Sequence, residues 1–362
     1  MEGGDLVGMV LCAGLGTRLR PLTDRVPKPA VPLGGLPLVR YALALLARAG
    51  ARRAVVNVHH LPGAMERAAR ESAAALGLPL AVSREPAIAG TGGALREARA
   101  LLAGAGDIVL LNGDVLFAAD LPGALRAHRG SGALATLLLA PMPAGGGYAA
   151  VEADGAMSVR RIAGLGPGGA GPLGAWHFTG CHVLSPRVLD LVPAEPFACD
   201  VNRHVYPPLL PGGGVRGRAD GGYWRDLGSP EGVLAAHLDL LAGRLPLESF
   251  PGADPFAGLS PAGEGLWLGA GAEVRPGARL EAPAALGAGA RVESGAVVGP
   301  GAFVGRGSRV GAGARVREAV VWDGTAIGAG EIVERAIAAG ELRVGAAPAP
   351  GLTPPGAGPA RR

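Results

Sequence analysis

Lysine is almost missing from this chain. Of its 34 basic residues only Lys28 is not arginine, which singles that residue out for examination. Aromatic residues make up 4% and charged residues 18%, with a formal net charge of only +4. A balance this small fits anionic small substrates and argues against nucleic acid as a partner, which would call for basic residues massed on one face. The three cysteines, Cys12, Cys181 and Cys199, are odd in number, far apart and without metal-ligand spacing. They exclude a disulfide framework and point to a reduced, cytoplasmic protein. No apolar run is long enough to cross a membrane. The apolar start, Leu6 to Leu15, has no basic leader and runs into a glycine turn, so no signal peptide is expected.

What is present is apolar material and glycine. At 362 residues, 49% of them hydrophobic, the chain has enough for two cores. The 63 glycines follow no collagen period and suggest tight turns and a repeat. In the first half, Val7–Leu11, Ala54–Val58, Leu80–Val82 and Ile108–Leu111 read as buried strands, with a further strand at Ala133–Leu139. Helical patterns lie between them: Leu38, Tyr41, Ala42, Leu45, Leu46 and Ala49 form one apolar stripe, stopped by Gly50, and a second helix spans about Met65 to Leu76. Strands alternating with helices predict an α/β, Rossmann-like domain with a mostly parallel sheet over residues 1–245. Gly164 to Gly174 reads as an irregular loop, and 246–265 as a proline- and glycine-rich linker.

The linker leads into a repeat. Leu268, Val274, Leu280, Leu286, Val292, Val298, Val304, Val310 and Val316 recur every sixth residue. Most are followed three residues later by a turn former such as Gly271, Pro283 or Gly295. A disordered linker would not hold nine aliphatic residues in one phase. The period predicts a short parallel β-helix over 266–335 whose aliphatic residues point inward. Past Val333 the pattern fades, and 336–362 is expected to be a disordered tail.

The chemistry concentrates at the first βα turn, Ala13-Gly14-Leu15-Gly16-Thr17-Arg18-Leu19, followed by Pro27-Lys28-Pro29. Glycines directly after a strand let backbone N–H groups close on phosphate oxygens, while arginine adds a planar donor fork and lysine a movable charge. The dinucleotide fingerprint fails because Leu19 stands at its third glycine, and a Walker A loop fails because no Gly-Lys-Ser/Thr follows. An arginine inside the turn with a proline-flanked lysine ten residues on is a more specific arrangement.

That arrangement resembles the opening motif of the NDP-sugar pyrophosphorylases. Four later segments are similar to that family in order and spacing: Gly90-Thr91-Gly92-Gly93, Asn112-Gly113-Asp114, Phe178-Thr179-Gly180 and Trp224-Arg225-Asp226-Leu227-Gly228. The match covers about the first 240 residues, and the repeat resembles the left-handed β-helix that several members append. The resemblance implies a nucleotidyltransferase that joins an NTP to a sugar 1-phosphate and releases pyrophosphate. Ala13, Gly14, Gly16, Thr17 and Arg18 would hold the triphosphate, and Lys28 would neutralise phosphate charge. Asp114 and Asp226 would ligate Mg²⁺. Gly90, Gly92, Gly93 and Asn112 would meet the nucleoside, and Thr179, Gly180 and Asn202 the sugar.

One feature departs from the family. Many members carry a Glu-Lys pair in mid-domain, whereas Val159-Arg160-Arg161-Ile162 has no lysine, which leaves Arg160 or Arg161 as candidates for its role. A β-helix acyltransferase activity is rejected, since such enzymes use a histidine base and none of the seven histidines lies in the repeat. A regulatory subunit without turnover is disfavoured by retention of both aspartates. Among substrates, the domain pair resembles the mannose-1-phosphate guanylyltransferases, with a uridylyltransferase of N-acetylmuramate 1-phosphate or another hexose 1-phosphate as the alternative. The repeat is assigned to homo-oligomer assembly rather than chemistry, so turnover is expected to survive its removal.

Overall fold

The computed structural model describes residues 4–143, 147–167 and 171–347. The first region contains β1 (Leu6–Leu11), β2 (Pro32–Leu33), β3 (Leu36–Pro37), α1 (Leu38–Arg48), β4 (Arg53–Val58), α2 (Pro62–Ala75), β5 (Leu80–Arg84), α3 (Gly90–Glu97) and α4 (Arg99–Leu102). It continues with β6 (Asp107–Asn112), β7 (Val115–Phe117), α5 (Leu121–Ser131), β8 (Ala135–Ala140), β9 (Ala150–Ala153) and β10 (Val159–Ile162). It ends with β11 (Gly174–Leu184), β12 (Val215–Ala219), β13 (Trp224–Asp226) and α6 (Pro230–Leu241).

The main sheet runs in the order β10-β9-β11-β6-β1-β4-β5, with β8 and β12 continuing beside β11. β1 lies at its centre, parallel to β4 on one side and β6 on the other. Its residues Val7, Met9 and Val10 are wholly buried, as expected where helices cover both faces of a parallel sheet. The predicted stripe of α1 packs onto that sheet, and Gly8 leaves the space: a Cβ there would come within 2.3 Å of Leu46. Among the described residues of this sheet, only β10 and β11 run against the other strands. β11 slips register between Phe178 and His182, so Thr179 and Gly180 bulge from the ladder beside the end of β6.

The repeat is a three-faced parallel β-helix. One face stacks Leu266–Gly269, Ala284–Leu286, Ala302–Val304, Ala319–Val321 and Ala336–Ala339. The other two faces stack four short strands each. Leu286, Val292, Val298, Val304, Val310 and Val316 point inward and are fully buried, as the six-residue period predicts. At the first coil, with no rung beneath it, Val274 remains 39% exposed.

The phase breaks after Val316. Phe303 pairs with Val320 and Val320 with Ile337, each spacing one residue shorter than that from Ala285 to Phe303. The lost residue is absorbed at corners where Glu318 and Arg335 adopt left-handed backbone, φ 42° and 46°, in place of a glycine turn. The two side chains form an ion pair with each other. This shift takes the last coil out of the six-residue period, and it corrects the expected tail. Strand Ala336–Ala339 is a further parallel rung and Leu342–Gly345 folds back antiparallel on it, while 348–362 lies outside the described residues.

The expected linker is also packed structure. Phe250 and Ala253 are buried, Phe250 sets its ring edge-on to Tyr41, and Leu259–Pro261 pairs antiparallel with the first rung. Aromatic anchors hold in place a segment whose prolines and glycines suggested a spacer. The expected irregular loop 164–174 is described except for 168–170, and Gly174 already begins β11.

The outward side of the five-strand face docks on the first region. Ala285, Phe303, Val320 and Ile337 share one hydrophobic cluster with Leu33, Val39, Leu234 and Leu240. α6 lies against the rungs at Ala302–Val304, Ala319–Val321 and Ala336–Ala339. His237 of α6 accepts a hydrogen bond from the Gly34 N–H (3.0 Å) and sets its ring against Phe303.

Candidate active site

A cleft of about 280 Å³ opens where the parallel strands β1, β4 and β6 end. Ligands of open α/β sheets bind at this end of the strands. Past Leu11 the chain enters the glycine turn. Gly14 faces open space, whereas Gly16 has φ 64° and a Cβ there would crowd Thr23 at 2.9 Å and Lys28 at 3.0 Å. The Thr23 hydroxyl donates to the Gly16 carbonyl (2.8 Å), and Leu19 and Leu22 are buried anchors. Leu19 therefore pins the turn to the core, the physical reason a leucine stands where a dinucleotide fold has its third glycine. Thr17 and Arg18 remain exposed beside the turn.

Behind the turn a hydrogen-bond chain crosses the strand ends. The Cys12 N–H donates to Asn57 Oδ1 (2.7 Å), Asn57 Nδ2 donates to Glu85 Oε1 (2.7 Å), and the Ala89 N–H donates to Glu85 Oε2 (3.0 Å). This chain fixes one wall of the cleft. Burial, reinforced by the Asp114 charge, pushes the Cys12 thiol far above its ordinary range, so Cys12 is no nucleophile.

Four charges face one another at the other wall. Lys28, 9% exposed, pairs with Asp114, and Arg18 reaches Asp226 at 3.4 Å. β7 and β13 bring the two carboxylates together: Asp226 pairs with Val115 in the ladder, and the Leu227 N–H donates to the Asp114 carbonyl (3.0 Å). Asp226 Oδ1 also accepts the Gly228 N–H (2.6 Å). A side chain at 228 would strike the Arg18 guanidinium at 2.3 Å, which accounts for glycine there. Beside these groups stands an aromatic wall, with Tyr148 4.5 Å from His177 and His177 4.2 Å from Trp224 between ring centres. Burial and the neighbouring Asp226 carboxylate raise the Tyr148 phenol above its ordinary value. His177 is 3% exposed, and neither ring nitrogen has a hydrogen-bond partner among the described residues.

The sequence-predicted residues divide into two sets. Ala13, Gly14, Gly16, Lys28, Gly90, Asn112 and Asp114 line the cleft together, and the β7–β13 pairing brings Asp226, with Arg18 on it, beside Asp114. Gly92 and Gly93 do not line it. Their N–H groups donate to the Cys199 carbonyl at 2.8 and 3.1 Å, and added Cβ atoms would meet Cys199 Sγ and the Phe197 carbonyl. Their missing side chains admit the 197–199 segment. The Thr179 hydroxyl donates to the Leu138 carbonyl (2.8 Å), and Gly180 packs on Asn112 with φ 83°. Asn202 sits outside the cleft in the helical turn Val201–Val205. Arg160 is held by Asp154 (2.8 Å) and Arg161 more loosely by Glu152 (3.4 Å).

Asn57, Glu85 and Thr91 line the cleft without having been singled out. Asn57 and Glu85 carried a signal: each is a polar residue at or just past the carboxyl end of a predicted buried strand. Tyr148 and His177 carried none, because only the fold brings them to Asp226.

A model of the family described as nucleotidyl transferase matches residues 7–243. The chain belongs to the nucleotidyl transferase family. It is a sugar-1-phosphate nucleotidyltransferase, and its relatives repeat the theme. The transferase is 34% identical to a mannose-1-phosphate guanylyltransferase of Mycobacterium tuberculosis, over 74% of this chain and 76% of that protein. It is 29% identical to a probable mannose-1-phosphate guanylyltransferase 1 of Oryza sativa, over 68% of each. In fold it is similar to the crystal structure of a putative glucose-1-phosphate thymidylyltransferase from Bacillus anthracis. That match has TM-score 0.55 and 18% identity, and covers 64% of this chain and 93% of that one. Among the described residues of the transferase, no helix is long and apolar enough to cross a membrane.

Proposed function

We propose that the transferase couples GTP to mannose 1-phosphate, giving GDP-mannose and pyrophosphate, with Mg²⁺ as cofactor. The observation that carries the substrate is the match to a mannose-1-phosphate guanylyltransferase over 277 residues, which is longer than the catalytic region alone. The reaction is in-line attack: a phosphate oxygen of the sugar 1-phosphate bonds to the α-phosphorus while the bond to the β-phosphate oxygen breaks and pyrophosphate leaves. Such a transfer needs positioning and charge neutralisation more than a nucleophilic side chain.

The residues supply both. The turn at Gly14 and Gly16 offers backbone N–H groups to the triphosphate, with Arg18 and Lys28 as its counter-charges. Lys28 is already desolvated between two prolines, so little freedom remains for it to lose. The donor set fits magnesium. Asp226 ends β13 and Asp114 immediately precedes its partner strand β7, and no cluster of three potential metal-binding side chains occurs among the described residues. Mg²⁺ commonly takes one or two carboxylates and fills its shell with water and phosphate oxygens. Bound there, it would neutralise charge on the reacting phosphates. We further propose that the two β-helix faces left free by docking serve homo-oligomer assembly, which light scattering of the intact chain would test.

Pyrophosphate release measured across the four NTPs and a panel of sugar 1-phosphates tests the assignment. GTP with mannose 1-phosphate should give the highest kcat/KM. A preference for UTP with N-acetylmuramate 1-phosphate would overturn the substrate. No turnover with any pair would overturn the activity.

A further inference from the structure

The ribbon β7–β13 carries both carboxylates of the site, with Asp114 immediately before β7 and Asp226 at the end of β13. Side chains alternate along a strand, so Trp224 and Asp226 face the site while Tyr223 and Arg225 face the opposite way. On that far side they meet α6. Arg225 pairs with Asp239, its Nε donates to the Tyr223 hydroxyl (3.0 Å), and that hydroxyl donates to Asp239 Oδ2 (2.7 Å). Arg244 closes the group from the other side, its Nε donating to Asp239 Oδ1 (2.7 Å). Asp239 is 5% exposed, and both of its oxygens are occupied.

We infer that Asp239 is a positioning residue for the divalent-cation site: through Arg225 and Tyr223 it clamps the back of the ribbon and so fixes Asp226 relative to Asp114. The inference rests on the proposed metal role of those two carboxylates. The Arg225–Asp239 pair, with side chains only 17% and 8% exposed, sets geometry well, because displacing either leaves a largely desolvated charge without its partner. The position of the clamp matters too. Arg225 lies between Trp224 and Asp226 in the chain, so a rotation of its backbone would turn the metal-binding carboxylate with it. α6, which supplies Asp239, is held from behind by the β-helix rungs at Phe303, Val320 and Ile337. The clamp therefore stands on the docked face.

Mn²⁺ binding to the full chain without substrate, followed by electron paramagnetic resonance, tests this. Asp239→Asn keeps the shape but loses the charge, and should weaken Mn²⁺ binding about 10-fold, the low end for groups that orient metal ligands. Turnover lost at low Mn²⁺ should return at saturating Mn²⁺, and Asp239→Glu should restore part of the affinity. A merely structural Asp239 would lower the melting temperature and leave Mn²⁺ affinity unchanged, and that result overturns the inference. Should Asp239→Asn fail to fold, Tyr223→Phe removes one hydroxyl from the same clamp and is read by the same affinity. Wild-type protein that binds no Mn²⁺, or binds it equally well as Asp226→Asn, overturns the metal reading itself and the clamp with it.

Discussion

Phe303 is the sharpest probe of how the two halves depend on each other. It points outward from the β-helix, is only 4% exposed, and sits between Ala285 and Val320 in the row that faces α6. Replacing a buried phenylalanine with alanine costs about 3–5 kcal/mol. Phe303 borders a cleft of about 320 Å³ at the seam, lined also by Val26 and Ala30 from either side of Lys28, so water can fill part of the space left behind. The low end, about 3 kcal/mol, is therefore expected for Phe303→Ala. Urea unfolding followed by tryptophan fluorescence reads it well, since Trp267 and Trp322 pack against the same cluster. The control is Ile332→Ala. That residue belongs to another face and is 67% exposed, so its truncation should cost under about 0.5 kcal/mol. Equal, small effects from both would refute the docked interface. The same reasoning reverses the expectation that turnover survives loss of the repeat: removing everything after Ala262 strips cover from Leu33, Leu234 and Leu240, and the truncated chain should lose solubility and activity together.

Lys28→Ala should lower kcat/KM by on the order of 10²-fold, the scale for one preorganised charge contact. As the sole lysine, Lys28 is the one side chain an amine reagent can label, and NTP should protect it; full activity after labelling would remove it from the site. Asp114→Asn and Asp226→Asn should each abolish most turnover, with the double variant little worse, because the pair acts as a unit. Additive losses in pyrophosphate release would separate them. Burial lowers His182 to about 3 and His237 to about 4 from an ordinary value of 6.5. Below pH 6.5 the unfolded chain takes up protons that these folded histidines refuse. Their contribution is thus complete above pH 6.5 and is lost as pH falls toward about 4 for His237 and about 3 for His182, at about 1.4 kcal/mol per pH unit for each. Urea midpoints between pH 7.5 and 5 check this, and stability that holds or rises on acidification would contradict it.

Much of this was legible from one sequence because its signals are local. Buried strands, the glycine turn that follows β1 and the inward valines of the repeat all depend on near neighbours and fixed periods. The outward row Trp267, Ala285, Phe303, Val320 and Ile337 was harder to see, because its spacing is three times the repeat unit and shortens after Phe303. Left-handed corners at Glu318 and Arg335 hid the final coil, since sequence patterns place such turns at glycine. In the site, residue identity revealed which groups carry charge but not what each glycine makes room for. At Gly92 and Gly93 it is the 197–199 segment that comes close, which the glycines alone do not reveal. The Tyr148, His177 and Trp224 wall joins three distant segments and has no one-dimensional trace.

Solenoids usually change length freely, by gaining or losing whole coils, because each coil touches only its neighbours. Here that freedom is curtailed. Inserting one coil near Gly295 would give every coil a neighbour of the same kind as before, yet slide the rungs beyond it by one strand spacing, about 4.8 Å. Phe303, Val320 and Ile337 would then each face the place on α6 that belongs to another residue. The helix acts as a gauge against which the coils are counted, and a change in coil number would require a matching change in a helix of the catalytic half.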